Sequence, residues 1–322
     1  MEETLNMSKR HEPQQPTQQS TWLEDQLAKS LFFHIKLHEW MLLETAEQLE
    51  QLRGDQLDWD HLEQLGISRK AWNKVIHSGV KPVMVFAHPE VLRQYPRLIG
   101  YYRMLAMVSQ KSMSRLRLPV NAFEDGSRTP TQDEAQRIAY HLNSIISRLV
   151  EGDEVIRLRE MDIWRGMAAG AQAQGSWQNA KGKEAEILVK ELVRQQAHRV
   201  GIKHENDTSI SLVNELEVRF SDDPDVSVER QGQVTAVIEI KGGIDPAGAL
   251  ERLGAAIKTL QRVKQKFERC ITILLIRRSS ITEGVKWDIE RSRAYIDVWF
   301  TIEDFLNKPE IQEEIWRRLG LL

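Results

Sequence analysis

The chain has 322 residues, of which 41% are hydrophobic and 28% are charged, with a formal net charge of −3. This length can bury one large core or two, and the slightly acidic charge argues against a protein that coats nucleic acid by bulk attraction. The one cysteine, Cys270, excludes an intrachain disulfide. Together with the lack of a signal-like segment or a long apolar run, it predicts a soluble cytoplasmic protein.

The first part of the chain is polar and then helical. Residues 1–20 are rich in Gln and Pro and predict a disordered tail. Residues 21–53 predict one amphipathic helix with Leu27 and Leu31 on its apolar side. His34 and His38 lie one helical turn apart, a spacing that can hold a metal, but no HExxH pattern or cysteine cluster accompanies them. The spacing alone therefore does not predict a zinc site.

The rest of residues 21–178 also predicts a mostly helical region. Its apolar patterns and its Gly and Pro residues predict a short helix around Trp72, a lone strand over 83–86, helices over 89–113, 131–150 and 153–173, and a break up to Asn179. No recognisable chemistry lies here, and we expect the region to serve DNA recognition or dimerisation.

A basic run lies within this region, in front of Pro119. Lys111, Arg115 and Arg117 are side chains of the kinds that read bases in the major groove. A helix end that favours cations explains the same residues. Both interpretations stay open.

Two β-prone segments, 224–228 and 234–241, carry the pattern with the most chemistry. The polar residues between them predict a hairpin turn with Gly232 at positive φ. Because alternate side chains of a strand point to opposite faces, Glu239 and Lys241 share one face, and the hairpin brings Asp225 toward them. Two carboxylates suit Mg²⁺, which can polarise a phosphate and lower the pKa of a bound water. A solvated strand face can carry the same pattern by chance.

The residues after this pattern predict a parallel crossover. Asp245 is a suitable N-cap and Pro246 a suitable first residue for a helix from about residue 247 to 266. The apolar run over 269–276 then predicts a buried strand. A final strand over 295–300 and a helix over 302–322 complete the chain.

Basic residues cluster beside the predicted crossover. Between Ile257 and Arg278, seven basic side chains accompany one acid, Glu268: Lys258, Arg262, Lys264, Lys266, Arg269, Arg277 and Arg278. Such a patch can neutralise phosphates, although a solvated helix face would have the same composition. A weaker basic group contains Lys183, Lys190 and Arg194.

The residues Pro224–Asp225 and Glu239–Ile240–Lys241 resemble the motif of the PD-(D/E)XK nuclease superfamily. The resemblance implies an α/β (α+β) core over residues 179–322, with a mixed β-sheet flanked by helices. It implies that Asp225 and Glu239 bind the metal and that Lys241 is the catalytic lysine. It also implies a further acid from the preceding helix, which the sequence predicts over residues 179–199 and for which Glu184 and Glu186 are candidates. Acids at a solvated helix start, favoured by the helix dipole, are the alternative.

Three segments, 82–89, 101–111 and 242–252, are together similar to the XcyI-type family of type II restriction endonucleases. This resemblance implies Mg²⁺-dependent hydrolysis of duplex DNA at a short palindromic G/C-rich site such as CCCGGG, leaving 5′-phosphate and 3′-hydroxyl ends. It further implies a homodimer in a prokaryotic cytoplasm, with a cognate DNA methyltransferase in the same system. A structure-directed repair or recombination nuclease and a non-catalytic DNA-binding protein on the same scaffold are the alternatives.

Overall fold

The computed structural model describes residues 18–153, 156–243 and 248–322, with side chains from residue 25 onward. The chain divides into two compact units, the first ending at Gly175 and the second spanning Ser176–Leu322. Of the predicted tail, residues 1–17 lie outside the described part, and residues 18–20 begin the first helix. None of the described helices is long and apolar enough to cross a membrane.

The described part of the first unit consists of helices and loops. The helices are α1 (Gln18–Glu39), α2 (Leu42–Gln51), α3 (Arg69–His77), α4 (Pro82–Val85), α5 (Pro89–Gln94), α6 (Leu98–Leu105), α7 (Gln110–Arg115), α8 (Asn121–Glu124), α9 (Gln132–Gly152) and the start of α10 (Leu158–Val200), with one 3₁₀ turn (Gly54–Gln56). The core forms where α9 packs on α3 and α5 and buries Leu142 and Ile146. α9 matches its prediction because Thr131 and Glu134 form a capping box.

The predicted helix over 21–53 is wrong in its continuity, because the chain turns at Met41, which has a left-handed φ of 51°. Leu49 on α2 is fully buried in the core, whereas Leu27 on α1 is 58% exposed. The burial of α2 in the core therefore favours a turn at Met41 over the single continuous helix that the sequence pattern predicts. The rings of His34 and His38 pack edge to face with centroids 5.1 Å apart.

Two other predictions for this unit are wrong. Residues 83–86, predicted as a strand, lie mainly in α4, because Pro82 begins a helical turn whose apolar side chains are buried. A short apolar run cannot by itself distinguish a strand from a buried helix. The predicted helix over 89–113 is three helices, separated by a turn at Pro96 and by Met107 with a φ of 54°.

The predicted break before the helix over 179–199 is also absent. α10 runs without interruption from Leu158 to Val200. Gly170 and Gly175 lie inside it, where each glycine costs about 1 kcal/mol relative to alanine. The good helix formers around them outweigh this cost.

The second unit contains a seven-stranded mixed sheet with the strand order β1-β2-β3-β4-β5-β6-β7. The strands are β1 (Ile202–Glu205), β2 (Ser209–Leu212), β3 (Leu216–Phe220), β4 (Val226–Arg230), β5 (Gln233–Lys241), β6 (Ile271–Ile276) and β7 (Val298–Thr301). The first five pair antiparallel, and β5 through β7 pair parallel. β1 to β3 have no counterpart in the sequence prediction.

Helices cover both faces of this sheet, as predicted for an α/β core. One face carries Ala236, Ile238 and Ile240 and packs in a core with the second half of α10, α13 (Ile302–Asn307) and α14 (Pro309–Leu319). The other face carries Val237 and packs with α11 (Ala249–Lys266) and α12 (Glu283–Arg291). The mixed sheet with flanking helices confirms the predicted fold class.

The predicted hairpin and crossover are confirmed. Gln231 and Gly232 have φ of 51° and 76° in the two-residue turn between β4 and β5, as a right-handed twist requires. α11 connects β5 to the parallel strand β6. The predicted cap residues Asp245 and Pro246 lie outside the described residues. The predicted C-terminal helix is two helices, α13 and α14, with Pro309 at the first position of the second.

Candidate active site

Asp225 lies against the end of β5, as the hairpin predicts. Val226 pairs with Ile238 across the β4–β5 hairpin, which places the carboxylate of Asp225 beside the next residues of β5. The backbone amide of Ile240 donates a 2.6 Å hydrogen bond to Oδ2 of Asp225. This carboxylate is almost completely buried, with 4% of the residue exposed. The backbone of β5 therefore fixes its position.

Glu239 and Lys241 meet on one face of β5. The ammonium group of Lys241 donates a hydrogen bond to Oε1 of Glu239, and Glu239 is 2% exposed. Oε2 of Glu239 is buried and has no hydrogen-bond partner among the described residues. A buried carboxylate oxygen without a partner is costly. This oxygen is therefore suited to bind a cation that the protein chain does not itself supply.

The electrostatics of the two carboxylates follow from burial. Desolvation raises the pKa of Asp225 to about 6, against the opposing effects of the Ile240 amide and the Lys241 ammonium. Desolvation also raises the pKa of Glu239 to about 7, although the Lys241 charge lowers it. The protein therefore supplies less positive charge than two ionised carboxylates require.

The two acids of α10 have different surroundings. Glu186 forms an ion pair with Lys190, whose Nζ atom is 4.0 Å from Oδ1 of Asp225, and the charge of Glu186 helps to raise the pKa of Asp225. Glu184 is exposed and pairs with Lys181 at 2.8 Å. The structure thus brings Glu186, and not Glu184, into electrostatic contact with the site.

Gly242, just after β5, allows α10 to lie close to the end of the strand. A Cβ atom on Gly242 would lie 2.6 Å from Cβ of Ala185 and 2.7 Å from the carbonyl oxygen of Gly182. Both distances are shorter than real Cβ contacts. The absence of a side chain on Gly242 therefore permits the approach that places Glu186 near Asp225, a role that the sequence pattern did not reveal.

Asp223 is a further acid that the sequence analysis missed. It accepts a 2.6 Å hydrogen bond from Thr259 and forms an ion pair with Arg262. The Thr259 hydrogen bond and the Arg262 charge lower the pKa of Asp223, and the charge of Asp223 helps to raise the pKa of Glu239. Asp223 lies only two residues before Asp225 in the sequence. Its link to the site was not visible there, because its partners Thr259 and Arg262 are distant in the chain.

Much of the predicted basic patch is paired within the protein. Lys264 binds Asp297 at 2.7 Å, and Arg278 binds Asp304 at 2.7 Å. Arg277 donates a 3.0 Å hydrogen bond to the carbonyl of Gly242. The remaining predicted DNA-binding residues lie on exposed positions: Lys183 and Lys258 on α10 and α11, and Lys111, Arg115 and Arg117 in or just after α7.

The donor set of the site fits Mg²⁺. Asp225 and Glu239 offer carboxylate oxygens, one of which is the unpartnered Oε2 of Glu239. Among the described residues no group of three or more His, Cys, Asp or Glu side chains is arranged to hold a metal. Mg²⁺ typically takes one or two carboxylates and completes its shell with water and substrate phosphate. Two acids at the sheet end therefore match this ion better than Zn²⁺, which takes three or four protein ligands.

A mixed sheet flanked by helices, with an acid directly before one hairpin strand and Glu-x-Lys at the end of the next, defines a PD-(D/E)XK nuclease. The XcyI restriction endonuclease family model matches residues 39–285. The chain belongs to this family, and it is a type II site-specific deoxyribonuclease.

Two relatives are similar to the chain over most of its length. The type II restriction enzyme Cfr9I of Citrobacter freundii is 24% identical over 258 residues, which cover 74% of this chain and 77% of that protein. The type II restriction enzyme XcyI of Xanthomonas campestris pv. cyanopsidis is 27% identical over 224 residues, which cover 64% of this chain and 67% of that protein. The predicted family is confirmed.

Proposed function

We propose that the enzyme is a Mg²⁺-dependent homodimer that hydrolyses both strands of duplex DNA at a short palindromic G/C-rich site such as CCCGGG. The products carry 5′-phosphate and 3′-hydroxyl ends, and a methyltransferase of the same system protects the host site. One observation carries the proposal: two buried carboxylates with raised pKa values, one with an unpartnered oxygen, stand beside the ammonium of Lys241.

The side chains divide the chemistry between them. Asp225 and Glu239 would hold the metal, which when bound polarises the scissile phosphate and lowers the pKa of a water. The hydrogen bond from the Ile240 amide orients Asp225 without neutralising it. Lys241, with its side chain 21% exposed, can reach the substrate and donates to the attacking water or to a non-bridging phosphate oxygen. Its positive charge then offsets the charge that develops as the phosphorus becomes pentavalent.

Incubation of the purified protein with plasmid DNA, in Mg²⁺ or in EDTA, tests this proposal. We expect discrete fragments only in Mg²⁺, and sequencing of their ends gives the site and the cut position. Smearing or cuts at branched structures would instead indicate a structure-directed nuclease. A duplex that is bound and never cut would indicate a DNA-binding protein and would contradict the proposed catalysis.

A further inference from the structure

A group of exposed cations lies in and just after α7 of the first unit. Lys111 and Arg115 lie on α7, Arg117 follows it, and all three are exposed. No acid occurs in the sequence from Met104 to Phe123. Within the described part of the chain, these three side chains form no hydrogen bond or ion pair. They differ in this respect from the cations of the second unit that bind Asp223, Asp297 and Asp304.

The backbone on both sides of α7 adopts a conformation that glycine normally provides. Met107 has a φ of 54° and Arg117 a φ of 59°. The amide of Val108 closes the end of α6, and the amide of Leu118 closes the end of α7, each by a hydrogen bond of 3.0 Å, as in the Schellman motif. A left-handed residue with a side chain is strained and persists only where its surroundings determine it. The segment is therefore held in one conformation.

A buried ionic network holds the start of α7. Arg103 is 1% exposed. Its guanidinium binds Glu124 at 2.6 and 2.9 Å, donates to the carbonyl of Val108 at 2.7 Å and donates to Gln172 at 2.9 Å. Glu124 also accepts a 2.7 Å hydrogen bond from the side chain of Gln110, the first residue of α7.

The other side of α7 is anchored by packing. Met113, in the middle of the helix, is fully buried in the core of the first unit. The exposed cations of α7 therefore extend from a helix that is fixed at its start and along its inner face.

Such rigidity has a use in sequence reading. Attraction to phosphates needs only flexible cations near the DNA, whereas contacts with base edges need side chains that start from fixed positions. Arginine and lysine pair with the O6 and N7 atoms of guanine in the major groove, which can admit an α-helix. We infer that α7 is a base-reading element and that Lys111, Arg115 and Arg117 contact guanine edges of the recognition site. This inference rests on the proposed function and assigns its specificity.

Arg117 offers the sharpest test. Arg117→Gly removes the guanidinium and places at a φ of 59° the residue best suited to it, so loss of binding cannot be attributed to a weaker fold. Lys111→Gln and Arg115→Gln remove the other charges at exposed helical positions. Lys70→Gln is the matched control, because Lys70 is an exposed lysine of α3 in the same unit.

The measurement compares two short duplexes, one with the site mapped on plasmid DNA and one with a single G·C pair of that site replaced. For each α7 variant we expect about 10- to 100-fold weaker binding of the first duplex and a smaller ratio between the two. Lys70→Gln keeps the wild-type affinity and ratio. Urea unfolding checks that every variant folds.

Four results would overturn the inference. If the α7 variants match Lys70→Gln, α7 does not contact the DNA. If a variant binds both duplexes more weakly by the same factor, and its binding depends less on salt than that of the wild type, the cations bind phosphates and not bases. A wild-type protein that binds no duplex would remove the proposed function and this inference together, whereas selective cutting by all α7 variants would remove only this inference.

Discussion

At the scale of single residues, the buried carboxylate of Glu239 makes stability depend on pH. The pKa of Glu239 rises from 4.5 to about 7 on folding, so the folded protein binds more protons than the unfolded chain between these values. Stability of the metal-free protein therefore falls as pH rises through this window. In EDTA at pH 8 we expect Glu239→Gln to unfold at a higher urea concentration than the wild type. Its free energy of unfolding should be larger by on the order of 2 kcal/mol.

The same experiment separates metal binding from other effects. Near pH 5 the difference should shrink, because Glu239 is then protonated in the folded wild type. Added Mg²⁺ should stabilise the wild type at pH 8 and leave Glu239→Gln unchanged. A wild type whose stability does not respond to Mg²⁺ would contradict a metal at this carboxylate.

Catalysis should depend on all three residues of the motif. We expect Asp225→Asn, Glu239→Gln and Lys241→Met each to lower the cleavage rate at least about a hundredfold, while far-UV circular dichroism stays as in the wild type. Glu184→Gln is the matched control, since Glu184 is exposed and pairs only with Lys181 among the described residues. Full activity in one of the three variants would exclude that residue from the mechanism.

Glu186 should tune the site without touching the reacting atoms. Glu186→Gln removes a negative charge that raises the pKa of Asp225 and releases Lys190, which is 4.0 Å from Asp225. We expect cleavage about tenfold slower and an acid limb of the pH–rate profile moved to lower pH. A slower enzyme with an unmoved profile would assign Glu186 to folding alone.

At the scale of elements, the close approach of α10 and β5 should couple packing to catalysis. Gly242→Ala places a Cβ atom 2.7 Å from a backbone oxygen of α10, so the helix or the strand end must move, at a cost of about 1–3 kcal/mol. We expect a lower urea midpoint for unfolding. We also expect the cleavage rate to fall by a larger factor than the fraction of folded protein.

Gly254→Ala on α11 is the control for this substitution. A Cβ atom there would meet no described heavy atom within 4 Å. Alanine in a helix interior should raise stability by up to about 1 kcal/mol, with cleavage unchanged. If Gly242→Ala behaves like Gly254→Ala, the glycine contact does not position the site.

Elements with a local signal could be predicted from the sequence. The β4–β5 hairpin followed from Gly232 and from the alternation that puts Glu239 and Lys241 on one face. β1 to β3 were missed, since strands this short become stable only by pairing with each other. The choice between Glu184 and Glu186 also required the structure, because it depends on the contact between Gly242 and α10, which exists only after the sheet has formed.

At the scale of the whole molecule, the proposed palindromic site calls for a two-fold dimer, in which each subunit cuts one strand. Wild type mixed in equal amounts with Glu239→Gln, after unfolding and refolding together, should give about half mixed dimers. A mixed dimer has one working site, so we expect nicked circular plasmid to accumulate where the wild type alone gives linear DNA. Wild type refolded with Glu184→Gln should give linear product as before. A mixture that yields only linear DNA, at a rate proportional to the wild-type fraction, would show that one subunit cuts both strands.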